Sequence, residues 1–474
     1  MNRTFGMFGL CLTILPPQIA FAQPPTGFVS VLDYGADPTG VSDSSSAFSA
    51  AFSASNSIYV PCGTYLVSIT ISLNNFKLNG AGQCAVLKPF DTTKPVITVS
   101  GSNFSIISSL FFTESAGTSD GLKLVGSTSN LLVEDAIFYT FSNGSGINCA
   151  MTSNAAGSGL YVRGGYSILN AIGYKLTYCH DFKVDGAQAG NNSGPGIQLD
   201  HSNAGIITNT FAWGNGRAVD AAASSYDYVL SSRLTQSANE GIRWNGGSYL
   251  NFSNNQFYQN SNAATGAVPD MALVGVSSAN IASNNFFDWT GIAHVSYSAT
   301  VDGTSSQINV TGNNFSPFTT LGSTSIAPGA GPVTLAHNTP KSTAKNNWSP
   351  IANVAVITPG TGVGGSTSTV YLAPFSSSSE QGLPSPVSGL FGCFYMFTNS
   401  SPASGETWTY TARIAGADAP LVATQTSGQL QTSVCSTTAA PAVVANQAID
   451  IKVTTNRSSN LGGVFFRGSI AIYE

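Results

Sequence analysis

The sequence predicts an all-β protein: a parallel β-solenoid followed by a small antiparallel β-sandwich or jelly roll. Three observations predict it. Within residues 195–316, the segments Gly196-Ile-Gln-Leu-Asp200, Ala218-Val-Asp-Ala-Ala222 and Gly241-Ile-Arg-Trp-Asn245 each alternate apolar and variable positions. A second apolar run follows in each unit, with Asn just before Phe at Asn209-Thr-Phe211, Asn255-Gln-Phe257, Asn285-Phe286 and Asn314-Phe315. Phe211, Leu234 and Phe257 lie 23 residues apart, and Phe257, Phe286 and Phe315 lie 29 apart, which is the spacing of a solenoid. Third, the grammar changes near the C-terminus to longer alternating runs around Trp408, Ile451 and Ile470. Period-two alternation specifies strands rather than helices throughout.

One coil cannot bury its apolar face alone. Stacked coils can, because each backbone pairs with the coils above and below at a spacing of about 4.8 Å. The register then predicts inward ladders: Ile197, Val219 and Ile242; Leu199, Ala221 and Trp244; and Phe211, Leu234, Phe257, Phe286 and Phe315. Asn at the turns suits left-handed backbone or side-chain ladders.

In chain order, residues 1–22 have the composition of a secretory signal peptide: Arg3, an apolar run, and Ala20-Phe-Ala22 as the cleavage site. The mature chain is expected to be soluble and exported, outside any membrane. Cys11 leaves with the leader, and the six remaining cysteines suit an oxidising setting. The expected bridges are Cys62–Cys84, Cys149–Cys179 and Cys393–Cys435, one choice among the possible pairings. No Cys/His cluster suggests zinc.

A strand ends at Asp33-Tyr-Gly35, a turn follows, and Asp43 or Ser44 can cap a helix whose apolar face carries Ala47, Phe48, Ala51 and Phe52. Next come Val60-Pro-Cys-Gly-Thr-Tyr65 and Leu78-Asn-Gly-Ala-Gly82. Two early coils follow, with Phe111 and Phe138 in matching places, and residues 150–159 read as a loop or an irregular coil. From Ser316 the repeat is no longer visible. The predicted organisation is a signal peptide (1–22), a β-solenoid with a capping helix (23–340), a linker (341–350) and a C-terminal β-sandwich (351–474).

The string Asp33-Tyr-Gly-Ala-Asp-Pro-Thr-Gly-Val-Ser-Asp43, with the short Ala-rich helix and the two segments after it, resembles the entry module of the pectate lyase superfamily. More narrowly, it is similar to the branch with rhamnogalacturonase-like and epimerase-like proteins and phage tailspikes. The resemblance implies a right-handed parallel β-helix whose helix plugs the open end. It gives Asp33, Asp37 and Asp43 structural roles. For the C-terminal domain it implies carbohydrate binding or trimerisation; the sequence equally allows an exposed β-domain that merely stabilises the rod's last coil. The Asn-Thr-Asp, Asp-Asp, Gly-His-Gly and Arg-Ile-Lys motifs of polygalacturonate-cleaving relatives are absent, so pectin does not carry over as the substrate.

Charged residues are only 8% of the chain, with a net charge of −5, against roughly 25% charged in average proteins. With no Lys/Arg run, nucleic acid is excluded as a partner. The few charges are therefore informative. One outward column runs Lys175, Gln198, Asp220, Arg243; the next runs Thr177, Asp200, Ala222, Asn245. Glu240 and His201 adjoin them, and Arg217 aligns with Glu240 as an expected structural pair. The outer face of one sheet is a shallow groove suited to an extended polymer.

These residues point first to a secreted glycoside hydrolase acting on a polysaccharide. Asp220 is its base, Asp200 its acid between apolar walls, and Arg243 the partner of Asp220. His201, Lys175, Gln198, Glu240 and Asn245 contact substrate. Asp200 and Asp220 fall about 8 Å apart between backbones, inside the window for inversion. No cofactor is needed. The alternative is a lyase on a uronic-acid polymer, with Arg243 or Lys175 as base and a Ca²⁺ ion on Asp220 and Asp200. The other rivals are a non-catalytic carbohydrate-binding or adhesin-like rod and a tailspike-like depolymerase, with a homotrimer in view.

Overall fold

The computed structural model describes residues 24–473 apart from 115, 154–158, 288–293, 316–318, 328–329, 332, 337, 341–349, 357–368, 373–382, 385–388, 399–400, 430, 436–440, 445–446 and 457–465. The expected signal peptide, most of the expected linker and residues 154–158 of the expected loop lie outside the described residues.

The solenoid is built from three parallel sheets, two of 13 strands and one of 11. Sheet I starts at Val29–Ser30, sheet II at Thr39–Asp43, and sheet III at Ile69–Ile71. Successive strands along the chain pass from one sheet to the next, and each sheet pairs strands one coil apart. The strands are short because the corners demand left-handed backbone. Asn130, Asn191, Asn209 and Asn254 hold φ between 51° and 58° there, a region that Asn tolerates better than most side chains.

Inside, the predicted stacks form. Ile197 pairs with Val219 and Val219 with Ile242; Leu199 pairs with Ala221 and Ala221 with Trp244. All six are buried. Asn255, Asn284, Asn313 and Asn338 form a buried side-chain ladder, each Nδ2 donating 3.0 Å to the next Oδ1. This satisfies polar groups that burial would otherwise leave unpaired.

The Phe ladder needs one correction. Phe257 stacks on Phe286 at 4.6 Å, and Phe286 meets Phe315 at 5.3 Å. Leu234, however, pairs with Ala212, not Phe211. Phe211 points outward, with the Arg233 guanidinium 5.0 Å above its ring. Likewise Phe138 stacks on Phe112, at 4.7 Å, rather than on Phe111. The side-chain period is two, so a one-residue slip moves a ring from core to surface.

The helix Ser45–Ala54 covers the first coil, burying Ala47, Phe48, Ala51 and Phe52. Phe48 packs edge-on against Tyr65 at 5.9 Å and Phe52 against Phe76 at 5.7 Å. Asp43 Oδ1 takes the Ser45 N–H at 2.8 Å, while Ser44 Oγ instead accepts from Asp37 N. The Asp37 carboxylate accepts from Thr39 Oγ1 and from the Thr39, Val41 and Ser42 amides. These bonds hold its carboxyl well below the usual range, the Thr39 hydroxyl contributing most.

Disulfides join Cys62 to Cys84 and Cys149 to Cys179. Cys393 and Cys435 sit opposite each other on paired antiparallel strands; their side chains lie outside the described residues. One further coil, Thr319–Ile326, Val333–Ala336 and Thr339–Pro340, extends past the point where the repeat fades from view. Backbone pairing needs no repeated side chains, so Gly, Ser and Thr suffice there. The C-terminal region carries two five-stranded antiparallel sheets. Trp408, Tyr410, Leu421, Ile451 and Val453 are buried in it.

Candidate functional site

Sheet III carries the charges. Four of its strands matter: β1 (Ile172–Thr177), β2 (Pro195–Asp200), β3 (Arg217–Ala222) and β4 (Ile242–Asn245). Their inward residues are the apolar ladders described above. Alternation therefore forces the intervening residues outward. The structure stacks them as the repeat predicts: Lys175 pairs with Gln198, Gln198 with Asp220, and Asp220 with Arg243. Beside them Thr177 pairs with Asp200, Asp200 with Ala222, and Ala222 with Asn245.

Two carboxylates in this array differ sharply. Asp220 is clamped. Arg243 Nε donates to Oδ1 at 2.8 Å and its terminal nitrogen to Oδ2 at 3.0 Å. Arg217 approaches Oδ2 at 3.7 Å while its Nε donates to Glu240 at 2.7 Å. Asp220 and Glu240 side chains are only 12% and 11% exposed. The result is a four-membered network, Glu240–Arg217–Asp220–Arg243, in which the expected Arg217–Glu240 pair forms one arm. Both Asp220 oxygens face guanidinium groups, so no pair of free carboxylates is left with Asp200 to take a calcium ion. Among the described residues no group of three or more His, Cys, Asp or Glu side chains converges.

Asp200 is open. Its side chain is 45% exposed, and its Oδ1 lies 2.7 Å from His201 Nδ1. The apolar walls expected around it are therefore not there; its neighbour is an imidazole. An ionised Asp200 accepts the Nδ1 proton, which leaves Nε2 with the lone pair. The His201 ring, half exposed, stacks on Tyr178 at 5.0 Å. Tyr178 was missed by the sequence reasoning, although the register contains it: Thr177 pairs with Asp200, so the next residue of each coil is Tyr178 and His201. Both turn the corner in left-handed backbone, at φ 50° and 52°.

Lys175 and Gln198 lie beside Asp200. Lys175 is half-buried and forms no ion pair among the described residues. Gln198 Oε1 is buried without a hydrogen-bond partner. Asn245 is exposed, two coils above Asp200 in the second column. Beyond β3, Asp227 is 1% exposed; its Oδ1 accepts the Gly205 N–H at 2.7 Å and its Oδ2 has no partner. Burial pushes this carboxyl up to about 8. Clefts elsewhere, one of them lined by Gly82, Ser109, Asp135 and Tyr166, lie away from this array.

Residues 28–268 match the model of the family described as rhamnogalacturonase A/epimerase, pectate lyase-like. No curated protein matches the chain in sequence. Among solved structures, the A-module of the mannuronan C-5 epimerase AlgE6 from Azotobacter vinelandii is similar, with TM-score 0.52 and 17% identity over 66% of this chain and 100% of the module. DFA-IIIase from Arthrobacter chlorophenolicus A6, without its lid and in complex with GF2, is similar with TM-score 0.51 and 12% identity, over 66% of this chain and 94% of that one. At these identities the likeness is one of fold.

Proposed function

The chain belongs to the rhamnogalacturonase A/epimerase, pectate lyase-like family, and on that footing we propose that it is a secreted enzyme acting on a uronate-containing polysaccharide laid across the outer face of sheet III. The chemistry is proton transfer at His201, oriented by Asp200. The observation that carries this reading is the 2.7 Å Asp200–His201 bond on an open face, one coil from a lysine with no carboxylate partner among the described residues.

Nε2 of His201 takes the proton from the sugar carbon that bears the carboxylate. The electron pair left behind spreads into that carboxylate, and the Lys175 ammonium stabilises it. Lys175 and Asp200 are about 8 Å apart between backbones, room for one sugar unit between their side chains. The intermediate then expels the C4 oxygen, which takes back the proton held by His201 as the chain breaks and a C4–C5 double bond forms, or it takes a proton from water on the opposite face. The first outcome is elimination, the second epimerisation. Arg243, Asp220, Arg217 and Glu240 form the rigid bed beneath.

A second reading rests on the spacing of Asp200 and Asp220, about 8 Å between backbones, which fits an inverting hydrolase. It asks Asp220 to accept a proton while both its oxygens are held by guanidinium groups. The test is purified protein on mannuronan, polygalacturonate and a neutral glucan. New absorbance near about 235 nm, or a changed uronate epimer ratio, supports proton abstraction. Reducing ends with no new absorbance support the hydrolase. No change in any polymer leaves a binding protein.

A further inference from the structure

The corner after β3 and β4 carries two tyrosines with no part in the chemistry above. Tyr226 and Tyr249 occupy equivalent places on successive coils, as the pairing of Tyr228 with Asn251 fixes. Their rings are 4.8 Å apart and inclined by only 15°. They are 54% and 58% exposed, and neither hydroxyl bonds to another described residue. Both sit at positive φ, 60° and 58°, where bulky residues are rare. An exposed stacked pair at this place is costly in apolar surface left in water.

The same register shows what the pair stands beside. Each corner has two left-handed positions, three residues apart. On the two lower coils the first position is aromatic, Tyr178 and His201, and the second is Asp181 and then Ala204. On the next two coils the order reverses: the first position is Ala223 and then Gly246, and the second is Tyr226 and then Tyr249. The aromatic wall therefore steps sideways immediately above His201. This leaves a notch with Ala223 and Gly246 as its floor and the tyrosine rings as its side. Below Tyr226, Ala204 leaves the lower ring face open at one coil spacing, about 4.8 Å. That is the separation at which the two rings already stack.

We infer that Tyr226 and Tyr249 form a carbohydrate-stacking subsite, which binds pyranose units of the polymer on the side of His201 toward the C-terminal coils. A pyranose presents an apolar C–H face and a polar rim. An exposed tyrosine offers a ring face for the first and a hydroxyl for the second. The subsite rests on the reading that a polysaccharide crosses this face, and it adds the direction in which the chain leaves the reacting sugar.

The test is affinity electrophoresis of the full chain in native gels containing mannuronan, polygalacturonate or a neutral glucan. Asn tolerates left-handed backbone, so the Tyr226→Asn/Tyr249→Asn variant keeps the corner, and unchanged thermal unfolding confirms it. On the polymer that retards the wild type, its dissociation constant should rise about tenfold or more, as loss of ring stacking predicts, with turnover at saturating polymer unchanged. Tyr226→Trp/Tyr249→Trp should bind at least as well as the wild type. Equal retardation of the wild type and the Asn variant overturns the subsite while the enzymatic reading stands. A wild type that no polymer retards, and that alters none, overturns both.

Discussion

Asp200 and Asp220 are one coil and two residues apart on the same sheet, yet they are different objects. Asp220 gives both oxygens to Arg243, with Arg217 near, and its side chain is 12% exposed. Asp200 is 45% exposed and, among the described residues, its carboxylate holds an imidazole alone. A carboxylate fully engaged by guanidinium groups orders its surroundings but is a poor proton acceptor. One that fixes the tautomer of a half-exposed histidine prepares a base. The contrast teaches that proximity of acidic residues on a solenoid face does not make a catalytic pair; their partners decide.

The sharpest way to break this contrast is to neutralise each member. Asp200→Asn should lower turnover about 10³-fold, within the usual range for general acid–base groups, with thermal unfolding unchanged. If activity survives, Asp200 is not the orienting group.

Asp227 shows what a carboxyl becomes when buried with no cation. Its folded value is raised to about 8, so the folded state keeps a proton that the unfolded state loses above about pH 4. Stability should therefore fall by several kcal/mol as pH rises from about 4 to 8, one pKa unit being worth about 1.4 kcal/mol. Urea unfolding across that window should show the slope in the wild type and not in Asp227→Asn. An unchanged slope in the variant would assign the pH dependence elsewhere.

Asp220→Asn leaves Arg217 and Arg243 without their shared carboxylate. The expected loss is about 2 kcal/mol of stability, less than for a fully buried pair because Arg243 is partly exposed, with turnover of the folded fraction within about tenfold. A folded Asp220→Asn protein as inactive as Asp200→Asn would restore Asp220 as the base. Smallest is Lys175→Met. It should lower kcat/KM about tenfold on a uronate polymer, mainly through kcat because the ammonium meets charge that builds up as the proton leaves, and leave binding of a neutral glucan untouched.

Much of this was legible in the sequence because the repeat pins the register. Three alike segments put Gln198, Asp220 and Arg243 on consecutive coils before any coordinates. The Phe ladder failed at Phe211 because the repeat preserves only the class of residue, and a neighbouring Ala212 fills the core as well. The last coil faded from view because its strand Thr319–Ile326 is mostly small and polar, although Val333-Thr-Leu335 keeps the alternation and pairs with Ile308 and Val310. Asp227 could have been found: it lies two residues before the core Val229, so alternation already turns it inward. The clamp on Asp220 could not be read to its full extent, because it depends on which of several reachable partners each guanidinium chooses.

The central claim is that protons move at Asp200–His201. It is tested most directly by proton NMR of mannuronan and polygalacturonate incubated with the protein in deuterated water, following the signal of the hydrogen on the carboxylate-bearing carbon. Elimination and epimerisation both remove that signal. The account predicts its loss on at least one of these polymers with the wild type and its persistence with Asp200→Asn. Chain shortening with that hydrogen fully retained, or no change in either polymer, would contradict it.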